Sequence, residues 1–207
     1  SYTAKTSALD YSRIEEAAKF KPSSDKRYKL GGTIKGSDYV NLSDTEIQLL
    51  VAIQADAYLM KDCSGIAFTF VKQRKIERLK TLLDKISIKY TVKNYFRKGR
   101  NEVQIYLTSS PSTVKLRSYL GNHKTLNNNL LVLSSRQMTV MLDEVQYWDG
   151  TTKDNGDICI DTTSKETVDF IQTACSLTER KCKVSQYTKK TNFGVCEVYR
   201  AYVSVVS

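Results

Sequence analysis

Histidine is nearly absent from this chain: His123 is the only one in 207 residues. A histidine base with histidine metal ligands, or a Ser/His/Asp relay, asks more of the chain than one imidazole readily supplies, so carboxylates and metal ions become the agents to look for. No stretch approaches the roughly 18 apolar residues of a membrane span, and the opening SYTAKTSALDYS lacks the apolar core of a signal peptide. The five cysteines, Cys63, Cys159, Cys175, Cys182 and Cys196, are odd in number and form no CxxC pair with zinc-site spacing. They read as reduced packing residues, and the chain as a soluble cytoplasmic protein.

Positive charge, by contrast, is plentiful. The chain carries 32 Lys plus Arg against 22 Asp plus Glu, a formal charge of +10. That surplus favours a polyanionic partner, with nucleic acid first in line. It is also concentrated: between Met60 and Arg100, twelve basic residues face three acidic ones, so this segment holds +9 of the total.

Residues 1–42 are polar and lysine-rich, with a short helical pattern from Arg13 to Phe20 that Pro22 would end, and they read as an N-terminal extension. Ser43 or Asp44 then offers an N-cap to DTEIQLLVAIQADA, whose apolar residues surround the helix almost completely and require its burial. Strand-like YLMK and IAFTFV follow. Gln73 to Ile86 sets Ile76, Leu79, Leu82, Leu83 and Ile86 on one stripe with Lys and Arg opposite, a surface helix. In KYTVKNYFR, period-two alternation gathers Lys89, Thr91, Lys93, Tyr95 and Arg97 on one face and Tyr90, Val92 and Phe96 on the other. NEVQIYLT turns Val103, Ile105 and Leu107 inward and Gln104 and Tyr106 outward. A short helix near Ser112 to Leu120 and a loop-like GNHKTLNNN close this first unit.

The same order then begins again: helix SRQMTVMLDEVQYW, strand DICID, helix SKETVDFIQTACSL, strands KCKVSQYT and VCEVYRAYV. Asp56 and Asp149 stand 93 residues apart, and the later helices align at 91, Leu79 with Phe170. Two copies are too few for a solenoid, so they are expected to face each other around a pseudo-twofold axis. The boundaries this implies are 43–133 for the first repeat with its linker and 134–207 for the second.

Each repeat opens with a buried helix running into an aspartate, LLVAIQADA and LDEVQYWDG, which keep four and three of the nine positions of the LAGLIDADG motif. With the duplicated helix and strand order, the stretch from Ser43 to about Val203 resembles a single-chain LAGLIDADG homing endonuclease, and FVKQRKIERLKTLLDKISIKY looks similar to the phage- and intein-associated branch. The resemblance implies an α+β fold of two pseudo-symmetric αββαββα repeats with paired motif helices and saddle-shaped antiparallel sheets. It implies a monomer that binds double-stranded DNA at a long, pseudo-palindromic or asymmetric site and cleaves it with Mg²⁺ or Mn²⁺ held by Asp56 and Asp149. Two adjacent carboxylates repel unless cations neutralise them, which gives that pair a physical reason to bind metal.

By the same resemblance, a basic residue acts beside the scissile phosphate, and Lys124, or Lys72 directly after IAFTFV, looks like that lysine. The sheets would lie along the major groove. Lys89, Lys93, Tyr95, Arg97, Gln104 and Tyr106 form the DNA-binding set in the first repeat, and Lys181, Lys183, Ser185, Tyr187, Lys189 and Arg200 the set in the second.

Several residues depart from the motif. Ala57 stands where the motif has glycine, and Asp143, Glu144, Tyr147 and Trp148 are bulkier or more polar than the small residues that let motif helices approach. The second repeat also has no counterpart of the helix near Ser112 to Leu120. Self-splicing is not supported, because it needs histidines the chain lacks. The alternatives are a catalytically inactive nucleic-acid binder, acting as a transcription regulator or intron RNA maturase, and an interaction module without nucleic acid.

Overall fold

The computed structural model describes residues 40–60, 65–97, 99–120, 124–191 and 194–204. The helical pattern at Arg13 to Phe20, and His123, lie outside them. Helix α1 (Asp44–Asp56) starts at a capping box in which Ser43 and Glu46 satisfy each other's backbone N–H, and it buries Ile47, Leu49, Leu50, Val51, Ala52 and Ile53. Burial on every side follows from its packing, since α1 lies against α4 (Ser135–Val145), α2 (Gln73–Lys85) and α3 (Pro111–Ser118). A second capping box, Ser134 with Gln137, starts α4. Among the described residues no helix is long and apolar enough to cross a membrane.

The strands form two antiparallel four-stranded sheets of the same order. The first runs β1 (Ala57–Leu59), β2 (Gly65–Phe70), β4 (Arg100–Thr108), β3 (Tyr90–Arg97). The second runs β5 (Gly150–Thr152), β6 (Ile158–Thr162), β8 (Gly194–Val203), β7 (Cys182–Thr191), with α5 (Lys165–Leu177) between β6 and β7. The fold is therefore α+β with two matching halves, and α3 has no counterpart in the second half among the described residues. Ile66, Phe68, Ile105 and Leu107 of one sheet and Ile158, Ile160, Ala201 and Val203 of the other join the helices in one hydrophobic cluster.

Several expectations need correction. The helix that opens the second half stops at Val145, and a turn over residues 146–149 carries the chain into β5, so Asp149 ends a turn where Asp56 ends a helix. Gly150 explains the tightness of that turn: a Cβ there would lie 2.7 Å from Gln146 Cα and 3.0 Å from the Val145 carbonyl oxygen. Ala57 needs no such freedom, because it leaves α1 with ordinary extended φ and ψ of −79° and 150°. GNHKTLNNN is not loop throughout, since a 3-10 helix begins at Asn128 and runs to Val132. Val92 and Phe96 lie opposite the basic face as the alternation requires, but they are exposed because edge strand β3 overreaches the core; Phe96 is 75% accessible. The later helices align at an offset of 92, which superposes buried Lys75, Ile76, Leu79, Leu82 and Leu83 on buried Thr167, Val168, Ile171, Ala174 and Cys175. Leu79 thus pairs with Ile171, not Phe170.

The bulky residues of the second motif do not keep α4 from packing on α1, because they are taken up by α2. Glu144 is inaccessible and accepts from Nε of Arg78 at 3.0 Å, from Arg78 Nη2, and from Trp148 Nε1 at 2.9 Å. The Arg78 guanidinium lies 4.4 Å above the Tyr147 ring, and Arg74 donates to the Tyr147 carbonyl at 2.6 Å. These contacts tie the first half to the turn that carries Asp149. Removing one partner of a buried ion pair leaves an uncompensated charge and costs about 3–5 kcal/mol. Arg78→Met should therefore lower the thermal midpoint strongly, and Arg78→Met with Glu144→Leu should recover most of the loss; a double variant no more stable than the single would contradict this role.

Candidate active site

Asp56 and Asp149 come together because α1 and α4 pack side by side and each chain segment leaves its helix toward the same end. They are close enough that the Asp56 charge helps to raise the pKa of Asp149. Burial is the larger cause: Asp149 opens to solvent along a cleft, but the protein backing its carboxylate disfavours the ionised form. Lys75 and Lys124 oppose both effects. The site thus holds two carboxylates and two ammonium groups, each within electrostatic reach of Asp149.

The two lysines are held differently. Lys124 sits in the left-handed region with φ of 52°, a conformation costing a non-glycine residue about 1–2 kcal/mol. Its Nζ donates to the Ala55 carbonyl at 3.3 Å, burial lowers its pKa, and the charges of Asp149 and Asp56 resist that lowering. Lys75, which the helical stripe assigned to the solvent side of α2, is 9% accessible and pairs with Asp56 at 2.5 Å. Its spacing carried the signal: Lys75, Leu79 and Leu82 are i, i+4 and i+7, so Lys75 borders the buried stripe. Lys72 is exposed at the N-cap of α2, one turn before the lysine that reaches Asp56.

A cleft of about 510 Å³ opens at Asp149, lined also by Gln54, Ala55, Lys124, Asp161 and Lys189 among others. Oxygens of Asp56, Asp149 and the Ala55 carbonyl are hard donors suited to Mg²⁺ or Mn²⁺. No cluster of three or more His, Cys, Asp or Glu occurs among the described residues, so water and a ligand's oxygens would complete a metal's shell. The donor set fits a divalent ion, with Lys75 as the competing cation at Asp56.

The second sheet contributes Lys189, Cys196 and Val198 to this cleft, and each sheet carries a polar face. In the first, ladder partners point to one side, so Thr91 with Tyr106, Lys93 with Gln104 and Arg97 with Arg100 form a polar surface with Tyr95. Lys89 directly precedes it, Tyr95 lies under the Arg97 guanidinium at 4.7 Å, and its hydroxyl is 3.5 Å from Gln104. In the second, Lys183, Ser185, Tyr187 and Lys189 pair with Tyr202, Arg200, Val198 and Cys196 respectively, with Lys181 just before the strand. Arg200 is engaged within the protein: its guanidinium donates to both oxygens of Asp161 at 2.6 and 2.7 Å, and the Tyr187 hydroxyl joins at 3.1 Å. That grip holds the Asp161 pKa below the usual carboxylate value. Asp161 is a site component that strand alternation did not single out.

An acid whose folded pKa is raised destabilises the fold in its ionised form, so the cost is absent well below its ordinary value of 3.8 and grows as pH rises through the raised value. Asp149→Asn should therefore raise the thermal midpoint at pH 7 in chelator, with the gain closing as pH falls below about 4. A lower midpoint at pH 7 would contradict the reading.

No protein-family model and no curated protein matches the sequence. Solved structures do. Mesophilic variants of the homing endonuclease I-DmoI superpose at a TM-score of 0.54 and 13% identity, covering 78% of this chain and 89% of that one. I-DmoI in complex with DNA and Ca gives 0.53 and 14%, over 80% and 85%. Full-length DUF199/WhiA from Thermatoga maritima gives 0.52 and 14%, over 81% of this chain and 54% of that one. With the duplicated motif helices and the matching strand orders, these likenesses identify the architecture: the chain has the LAGLIDADG fold.

Proposed function

We propose that the chain is a site-specific double-stranded DNA endonuclease in which Asp56 and Asp149 hold the divalent ion, Mg²⁺ or Mn²⁺, that phosphodiester hydrolysis requires. The observation that carries this reading is the convergence of two carboxylates where α1 and α4 pack side by side, Asp56 as the last residue of α1 and Asp149 in the turn after α4, with Ala55 of α1 and Asp149 lining one cleft. When bound, such an ion lowers the pKa of a water and stabilises charge on the phosphate oxygens. The I-DmoI structure in complex with DNA and Ca supports both partner and cofactor by analogy.

The chain's own groups have separate tasks. Lys124, fixed beside both carboxylates, sets positive charge where a phosphate would lie; exposed Lys72 is the second such candidate. Lys89, Lys93 and Arg97 meet the DNA backbone or guanine edges, Gln104 reads adenine, and Tyr95 and Tyr106 extend the surface. Lys181, Lys183, Ser185 and Lys189 do the same from the second sheet. Arg200 holds Asp161 and orients Tyr187, so it shapes that surface more than it touches DNA. One monomer with one such face per half would cover a long site.

A second reading, DNA binding without cleavage, is favoured by one observation: Asp56 already has a cation, Lys75. Selection of bound and of cleaved sites from a randomised duplex library, with and without Mg²⁺, separates the two. Cleavage should need Mg²⁺ and fall about 10²-fold or more in Asp56→Asn and Asp149→Asn chains, the scale of losing one transition-state contact, while binding survives. Salt-sensitive binding with no cleavage would favour the second reading, and no binding at moderate salt would sink both. Arg97→Ala should weaken binding evenly across sequences and reduce the salt slope by about 1.

A further inference from the structure

We propose that Lys75 is a resident counter-cation that closes Asp56 to divalent ions while no DNA is bound and makes the two halves unequal, so that the free protein takes a divalent ion at Asp149 and not at Asp56. The inference rests on the reading of the two aspartates as metal ligands. Three observations carry it. First, the Lys75 ammonium is 2.5 Å from Asp56 Oδ2 and almost wholly buried, so a metal at that oxygen must displace an ammonium with little water to receive it.

Second, the halves differ in charge at the position that meets Asp56. The common pattern of buried residues in α2 and α5 sets Thr167 where Lys75 stands. Threonine brings no charge and is three side-chain atoms shorter. Its hydroxyl is buried and has no hydrogen-bond partner among the described residues.

Third, in the second half Thr167 and Asp149 border a small, mostly apolar cavity lined also by Gln54, Asp161, Trp148 and Ile171, and no lysine lines it. Its polar lining includes the Asp149 carboxylate and the Thr167 hydroxyl, oxygen donors of the kind a hard cation accepts. Lys124, the remaining cation near Asp149, donates to the Ala55 carbonyl instead. Asp56 is therefore compensated from within its own half, whereas Asp149 is compensated only at a distance.

The test is Mn²⁺ binding to the full chain without DNA, read as loss of the free Mn²⁺ electron paramagnetic resonance signal. In the native sequence, Asp149→Asn should abolish binding and Asp56→Asn should leave it nearly unchanged; equal losses would overturn the inference. Lys75→Thr, the residue of the second half, and Lys75→Met should each tighten Mn²⁺ binding by about tenfold or add a second ion, and Asp56→Asn should remove that gain. Lys75→Arg, which keeps the charge, should bind as the native chain does. Folded Lys75→Thr and Lys75→Met chains with native Mn²⁺ binding would overturn the role of Lys75 while leaving Asp149 as a ligand. Mn²⁺ binding indifferent to both aspartates in every variant would overturn the metal-site reading itself, and this inference with it.

Discussion

Two negative charges brought to one point inside a protein cost free energy unless something positive meets them, and most of what is distinctive in this molecule follows from that constraint. Helices α1 and α4 must pack to bury Leu49, Leu50, Met138 and Met141, and packing them carries Asp56 and Asp149 to the same end. The hydrophobic effect thus creates an electrostatic problem that it cannot solve. Lys75 and Lys124 solve part of it. Lys75 does so by direct contact, at the cost of burying an ammonium in α2, and Lys124 does so from a backbone conformation that few side chains adopt.

Polar groups do the rest of the structural work at the junction of the halves. Arg78 of the first half reaches Glu144 of the second, and Trp148 closes the same carboxylate from the other side. The turn between Val145 and Gly150 is therefore fixed by both halves, and so is the position of Asp149. On the second sheet, Arg200, Asp161 and Tyr187 form a comparable network at the edge of the cleft. Rigid support under a carboxylate pair is what a site needs if a phosphate is to be held in one geometry.

Much of this was legible in the sequence. Apolar residues all around DTEIQLLVAIQADA forced a buried helix, and period-two alternation in KYTVKNYFR and NEVQIYLT fixed which residues share the basic face. The duplication pointed to both aspartates. What was not legible depends on tertiary reach. A helical stripe treats lysine as solvent-facing, yet a long side chain at the border of the stripe can turn inward when a carboxylate waits there, as Lys75 does. Alternation likewise sets Val92 and Phe96 opposite the basic face, but it does not tell how far the core beneath that face extends. Nothing in the strand that carries Arg200 reveals that Asp161 on β6 grips it.

Carbon-13 NMR titration of the Asp149 carboxyl, in the native chain and in Asp56→Asn, tests the central claim most directly. If the two carboxylates share one electrostatic site, Asp149 titrates above the ordinary aspartate range in the native chain, and removing the Asp56 charge lowers its pKa measurably. An Asp149 pKa that is ordinary, or that does not move when Asp56 is neutralised, would mean the two groups do not act on one another.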